Sequence, residues 1–452
     1  MRCLLPFFLS LITLLYSCSN DDVPTNAGKS ILVLSGDITD SEAAEIIASD
    51  LGSNTQTVKI FNTSELTEVN LSQLNSAVEI TIENNKVLER VDLSGLTNIL
   101  GPLNVLDSPL LLEINLNSLQ EVTDASVFRN VDLKTLNLPL IKSFNRIELN
   151  NTGINEFNAP NLMSVDGLAI LDEDLESLSL PSLVTGSISI QSSSVSSLSF
   201  PSLTIVDSFT ITLTPLQVID LPSLEKITYR MYINFNNLLE SISLPNLKIA
   251  ETVIVQDNVG LVSLSMPKLE EASELKIINN NSLTNQNLNS ISTIHGDFFF
   301  QYNGKMNLLN LNSLISVKGW LQISSNSSLN NVDFTHLTSA EKISMESNKI
   351  SSISFPELLD VTDLTIYNNR DTFIGIVKVE IPKLNSLGKS FYVNAQLPSE
   401  EVNYLLNRFV SISPPISGKS IGLSQNPSAP PTGQGIIDKT TLSSNGNNIL
   451  TN

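Results

Sequence analysis

Cysteine is nearly absent from this 452-residue chain: the two that exist, Cys3 and Cys18, both fall in its first eighteen residues. The body of the protein therefore has no thiolate metal site, no cysteine nucleophile and no disulfide. Histidine is as scarce, with only His295 and His336, which leaves most zinc sites and Ser–His–Asp arrangements without their parts. Positive charge is thin. Lys and Arg number 25 against 46 Asp and Glu, a formal net charge of −21. A nucleic-acid binder needs a clustered basic surface, so that class is set aside. Aromatic residues are 6% of the chain, with a single tryptophan, Trp320. What the sequence does have is Leu and Ile recurring throughout, 41% hydrophobic residues and only 16% charged ones. That composition argues against disorder.

Residues 1–17 read MRCLLPFFLSLITLLYS, with one early cation, Arg2, ahead of an apolar run from Leu4 to Tyr16. The run is too short for a membrane-spanning helix, which needs about 20 apolar residues, and it fits a secretory signal segment. Its end, Leu15-Tyr16-Ser17-Cys18, resembles the lipobox of bacterial lipoproteins. The resemblance implies cleavage before Cys18 and lipid attachment to its thiol. The following Ser19-Asn20-Asp21-Asp22 is similar to the acidic export signal that sends some Gram-negative lipoproteins to the outer leaflet. The expected address is therefore the cell outer membrane, lipid-anchored and surface-exposed. The polar stretch up to Lys29, with Pro24 and Gly28, reads as a flexible tether.

An internal repeat decides the fold. Segments of the form apolar-x-apolar-x-x-Asn include Met231 to Asn236, Val253 to Asn258, Leu275 to Asn280, Phe298 to Asn303, Leu321 to Asn326, Ile343 to Asn348 and Leu364 to Asn369. Sixteen segments start between residues 58 and 391, with a mean step of about 22 residues, inside the range of leucine-rich solenoids. Each unit also carries a second phrase such as Leu-x-x-Ile-x-Leu-Pro-x-Leu, as in Leu239 to Leu247. Period-two alternation predicts that both segments are short strands. Proline cannot donate to a strand ladder, so Pro181, Pro201, Pro222, Pro245, Pro267, Pro356 and Pro382 are expected at corners. The column Asn236, Asn258, Asn280, Asn303, Asn326, Asn348 and Asn369 has the chemistry of an asparagine ladder, whose amides bond the backbone of adjacent coils. Early coils carry Ser, Glu or Thr instead, so the ladder is expected to be imperfect between residues 105 and 215.

This pattern resembles the receptor L-domain family, a right-handed parallel β-helix related to leucine-rich repeats, and is similar to fungal cell-wall proteins that share the Leu-Pro-x-Leu phrase. The resemblance covers residues 30–395 and implies an all-β solenoid with short helical caps. The cysteine-rich modules, kinase and transmembrane segments of animal receptors have no counterpart here. The expected division is a signal peptide over 1–17, a tether over 18–29, a solenoid of about sixteen coils with its N-terminal cap over 30–395, and a C-terminal cap over 396–452. Thr39-x-x-Glu42 is a capping box opening a helix to Leu51. Ser399 to Phe409 reads as an amphipathic helix with Val402, Leu405, Leu406 and Phe409 on one face.

The candidate chemistry is sparse. Gly418-Lys419-Ser420-Ile421-Gly422 matches the G-x-S-x-G pattern, but that motif needs a downstream histidine, and the last one is His336. His295 and His336 fall at different points of the coil and are read as surface positions. Asp172-Glu173-Asp174 with Glu176 is the densest acidic cluster and reads either as a calcium loop or as a solvated turn. No catalytic residue, metal site or cofactor is assigned. The functional expectation is a non-catalytic surface protein for recognition or adhesion, binding a protein or glycan. A structural envelope lipoprotein and a carbohydrate-active β-helix enzyme are the alternatives. The candidate ligand-binding strip comes from outward positions of the first strands. Most coils place Ser, Thr, Gln or Asn there, and Tyr232, Ile254, Lys276, Ile278 and Phe299 depart from that habit. The alternative is that a loop or cap covers the strip as core.

Overall fold

A computed structural model describes residues 27–367 and 375–452. The signal segment, Cys18, most of the tether and Asn369 lie outside the described residues. Alternation sets the architecture. In each coil, two apolar residues spaced by one point inward and the residues between point out. The first inward residue of one coil stands directly opposite that of the next, in parallel register. Val58 faces Ile80, then follow Leu103, Ala125, Ile147, Leu168, Ile188 and Phe209. Met231, Val253, Leu275, Phe298, Leu321, Ile343, Leu364 and Phe391 continue the row. All are buried. The result is one long parallel sheet along the array, 21 strands among the described residues.

The second phrase forms three-residue strands, such as Ser177–Ser179 and Ser241–Ser243, gathered into smaller parallel sheets of two to four strands. Leu180 and Phe200, which follow such strands, are buried, and Pro181 and Pro201 open the turns after them. The turn carbonyls are not left bare. Ser223 donates its hydroxyl to Pro201 O, and Ser290 to Pro267 O, each at 2.6 Å and each to the preceding coil. The interior between the two strand rows is filled by Leu, Ile, Val and Phe in one continuous core.

Where the long strand ends, the chain turns through a left-handed residue. Among the described residues, thirteen non-glycine residues have φ between 47° and 60°. Six are Asn or Asp, including Asn62 and Asp257, types that tolerate this region, and three are Ser. Leu213, Phe235 and Tyr302 do so with bulky side chains, and all three are exposed.

The ends are capped, as an open solenoid requires. At the N-terminus, strand Ile31–Gly36 pairs with Thr57–Thr63. Helix α1, Asp40–Asp50, follows a capping box in which Thr39 N–H donates to Glu42 Oε2 at 2.8 Å and Glu42 N–H to Thr39 Oγ1 at 3.4 Å. At the C-terminus, α2, Ser399–Val410, buries Val402, Leu405, Leu406 and Phe409, and the Phe409 ring sits 4.9 Å from that of Phe391. Helix α3, Gln434–Ser444, packs on α2, while strands Ser420–Leu423 and Asn448–Thr451 extend the main sheet beyond the last coil. No described helix is long and apolar enough to cross a membrane.

Candidate recognition surface

The turn after each long strand leaves carbonyls that no neighbouring strand can satisfy. Asparagine meets this need because it donates and accepts at once. Asn280 Nδ2 donates to Val255 O of the preceding coil at 2.9 Å and to Ile278 O at 3.1 Å. Its Oδ1 accepts from Asn258 N–H at 3.2 Å. Asn236, Asn258, Asn303, Asn326 and Asn348 repeat the scheme, donating to Ile211, Ile233, Ile277, Phe300 and Ile323. The column runs further back than the sequence suggests. Asn85 and Asn130 occupy it with the same bonds to Ile60 O and Val105 O. Thr63, Ser108, Thr152, Asp172, Ser193 and Thr214 fill the other coils ahead of Asn236, all buried. The stretch from 105 to 215 is thus chemically mixed but geometrically continuous.

Asp172 is accordingly neither a solvated turn nor a free calcium ligand: it is fully buried in the ladder column. Its Oδ2 accepts from the hydroxyl and the N–H of Thr152, and its Oδ1 accepts from Asp174 N–H at 3.1 Å. Burial pushes its carboxyl above the ordinary 3.8, outweighing the donors that pull it down. Among the described residues no cluster of three or more His, Cys, Asp or Glu is arranged to hold a metal. An ionised carboxylate has no N–H to offer the carbonyls of the neighbouring strands, whereas the asparagines do. Asp172→Asn is therefore expected to stabilise the protein by about 1–3 kcal/mol at neutral pH. The sign of the pH dependence follows from the raised native value. The contribution of this group is complete below the unfolded-chain value and is lost as pH rises through the folded one. The gap in melting temperature between Asp172→Asn and wild type should thus be small in acid and widen towards neutrality. A gap independent of pH would show that the Asp172 carboxyl holds its proton equally well in the folded and the unfolded chain.

The five outward residues of the candidate strip lie on the open face of the main sheet. Tyr232 is opposite Ile254, Ile254 opposite Lys276, and Lys276 opposite Phe299, in one row across four coils. Ile278 is one pleat along, between Gln256 and Gln301. All five are half-buried, which leaves the strip reachable from solvent. Three further residues join it. Trp320, 40% exposed, meets the Phe299 ring edge-to-face at 5.9 Å. Arg230 lies over the Tyr232 ring at 4.9 Å and Lys342 over Trp320 at 5.9 Å. Lys276 lies over Phe299 at 5.2 Å and pairs with Glu274 at 2.6 Å. The signal for the missed residues was available, because Arg230, Trp320 and Lys342 each stand immediately before an inward anchor: Met231, Leu321 and Ile343. At Trp320 it was masked by a register shift after Val317. Beside the strip, Gly167, Ala169, Ser187, Ser189 and Ser208 floor a shallow cavity of about 420 Å³ walled by Arg146 and Asp166.

The other candidates do not come together. Ser420 opens a strand rather than ending one before a helix. His336 Nδ1 lies 2.5 Å from Asn312 O, and His295 Nε2 lies 3.1 Å from Glu271 Oε2.

These registers define a class, the leucine-rich-repeat-type parallel β-solenoid of about sixteen coils. No family description and no curated protein matches the sequence. Among solved structures, the chain is similar to a leucine-rich repeat protein from Bacteroides ovatus, with 15% identity, 62% of this chain and 87% of that one covered, and a TM-score of 0.34. The functional domain of InlJ from Listeria monocytogenes is similar at 13% identity, over 86% and 74% of the two chains, with a TM-score of 0.20. A leucine rich cell surface protein from Faecalibacterium prausnitzii shares 10% identity over 68% and 84%, with a TM-score of 0.19.

Proposed function

We propose that this chain is a lipid-anchored cell-surface protein that recognises or adheres to a protein or glycan ligand without catalysing a reaction. The observation that carries the proposal is the strip formed by Tyr232, Ile254, Lys276, Ile278 and Phe299. Four coils in succession place these apolar and cationic side chains on an open sheet face. Exposed apolar patches rimmed by polar residues mark contact sites, and aromatic residues with a neighbouring cation are common anchors in them. The anchoring half of the proposal stands on Leu15-Tyr16-Ser17-Cys18.

One experiment tests both halves. Cells displaying the full chain are probed on protein and glycan arrays beside Cys18→Ala, Tyr232→Ala and Phe299→Ala variants. Cys18→Ala is expected to leave the membrane fraction. Tyr232→Ala and Phe299→Ala are expected to keep display and melting temperature while weakening ligand or cell binding roughly tenfold or more. Unchanged binding in both ring variants would reject the strip as the site, and membrane-retained Cys18→Ala would reject the lipid anchor.

A further inference from the structure

We infer that the ligand of this strip is an acidic polypeptide, held by Arg230 at one end and Lys342 at the other with apolar side chains between. The inference rests on reading the strip as the recognition surface and adds the chemistry of the partner. Its starting point is unspent charge. Of the three cations along the strip, Lys276 is paired with Glu274 at 2.6 Å. Arg230 and Lys342 have no ion-pair partner among the described residues, and Arg230 Nε is buried without a hydrogen bond. The neighbouring acids, including Asp363 directly opposite Lys342 in the next strand, form no ion pair with either cation and accept hydrogen bonds from other groups. Asp297 accepts Trp320 N–H at 2.9 Å, Asp363 accepts the Ser390 hydroxyl, and Glu346 accepts the Ser344 hydroxyl at 2.9 Å. In a chain of net charge −21, two unpaired cations bracketing one apolar strip are complementary to carboxylates. Distant acids of the same chain count for little, since charges more than about 8 Å away are largely screened at physiological salt.

The rings favour a polypeptide over a glycan. Sugar rings stack on open aromatic faces, and here a cation already lies over one face of each ring. Cations cover Tyr232, Phe299 and Trp320, and the Phe299–Trp320 pair is perpendicular, at 87°. What remains between the cations is the branched aliphatic surface of Ile254 and Ile278 and the ring edges, a surface for apolar side chains. The spacing gives a length. From the strand of Arg230 to the strand of Lys342 is five coil steps, about 24 Å at the usual inter-strand distance. An extended peptide covers that distance in about seven residues.

The test uses the full chain and a labelled peptide library with Glu fixed at the first and eighth positions and apolar residues between. A matched library with Gln in place of Glu and polygalacturonate, an acidic glycan, are the comparison probes. The acidic library is expected to bind, and the Gln library roughly tenfold more weakly, as for loss of a charge-assisted hydrogen bond. Arg230→Gln and Lys342→Gln should each weaken the acidic library by a similar factor, with unchanged melting temperature, and added salt should weaken it further. Equal binding of the two libraries, preference for polygalacturonate, or no binding of the acidic library would overturn the inference. A ligand found on the arrays whose binding depends on Tyr232 and Phe299 but not on Arg230 or Lys342 would overturn it too, while leaving the recognition reading standing.

Discussion

Ile277→Asp is expected to abolish folding of the central coils. Ile277 is fully buried, directly between Val255 and Phe300 in the registers of its two neighbours. No described cation reaches that interior row, so the new carboxylate would be buried without a partner. The penalty lies in the exceptional range, above about 4 kcal/mol. Ile277→Val removes one methyl at the same place and should cost only about 1 kcal/mol. Chemical denaturation of the two variants separates charge burial from lost volume. An Asp variant that unfolds with a midpoint near that of Val would mean that the interior admits water at this coil.

Asn280→Ala is expected to cost about 2–4 kcal/mol, because it strands several polar groups at once. Val255 O and Ile278 O lose their side-chain donor, and Asn258 N–H loses its acceptor. Val255 O and Asn258 N–H have no water to turn to, since Val255, Asn258 and Asn280 are all completely buried, while Ile278 O keeps the Asp257 N–H at 3.0 Å. Asn281→Ala, one residue on and exposed, serves as the control and should shift stability by less than about 0.5 kcal/mol. Equal urea midpoints for the two alanine variants would show that the ladder bonds contribute nothing net over water.

The inward rows were legible because a repeat writes the same constraint many times. A single Leu or Ile proves little, but Met231, Val253 and Leu275 recurring at one step fix both the strand and its register. The caps were legible for a different reason: Thr39 with Glu42, and Val402 with Leu405, Leu406 and Phe409, are local signals that need no long-range information. The ladder's early half was harder to read. Thr152 and Asp172 satisfy the same turn with other chemistry, so a search for asparagine passes over them. Asp172 misled most, because a carboxylate among Glu173, Asp174 and Glu176 looks solvated until its position in the coil is counted. Trp320 was obscured by the bulge beside Gly319, which shifts it relative to its neighbours. The pairing of rings with cations on the open face depends on side-chain direction, which no periodicity encodes.

The ladder bonds also say how such a molecule comes to be folded. Apart from those within a single turn, each joins residues 18 to 26 positions apart, never further. Across a chain of 452 residues that is a relative contact order of about 0.05, well below what β proteins usually show. No coil waits for a distant segment to arrive. Folding therefore has many equivalent starting points and spreads from each by docking one coil on the last, at the modest entropic expense of closing a short loop. Amide hydrogen exchange should reflect this as protection that is deepest in the middle of the array and falls off coil by coil towards each end.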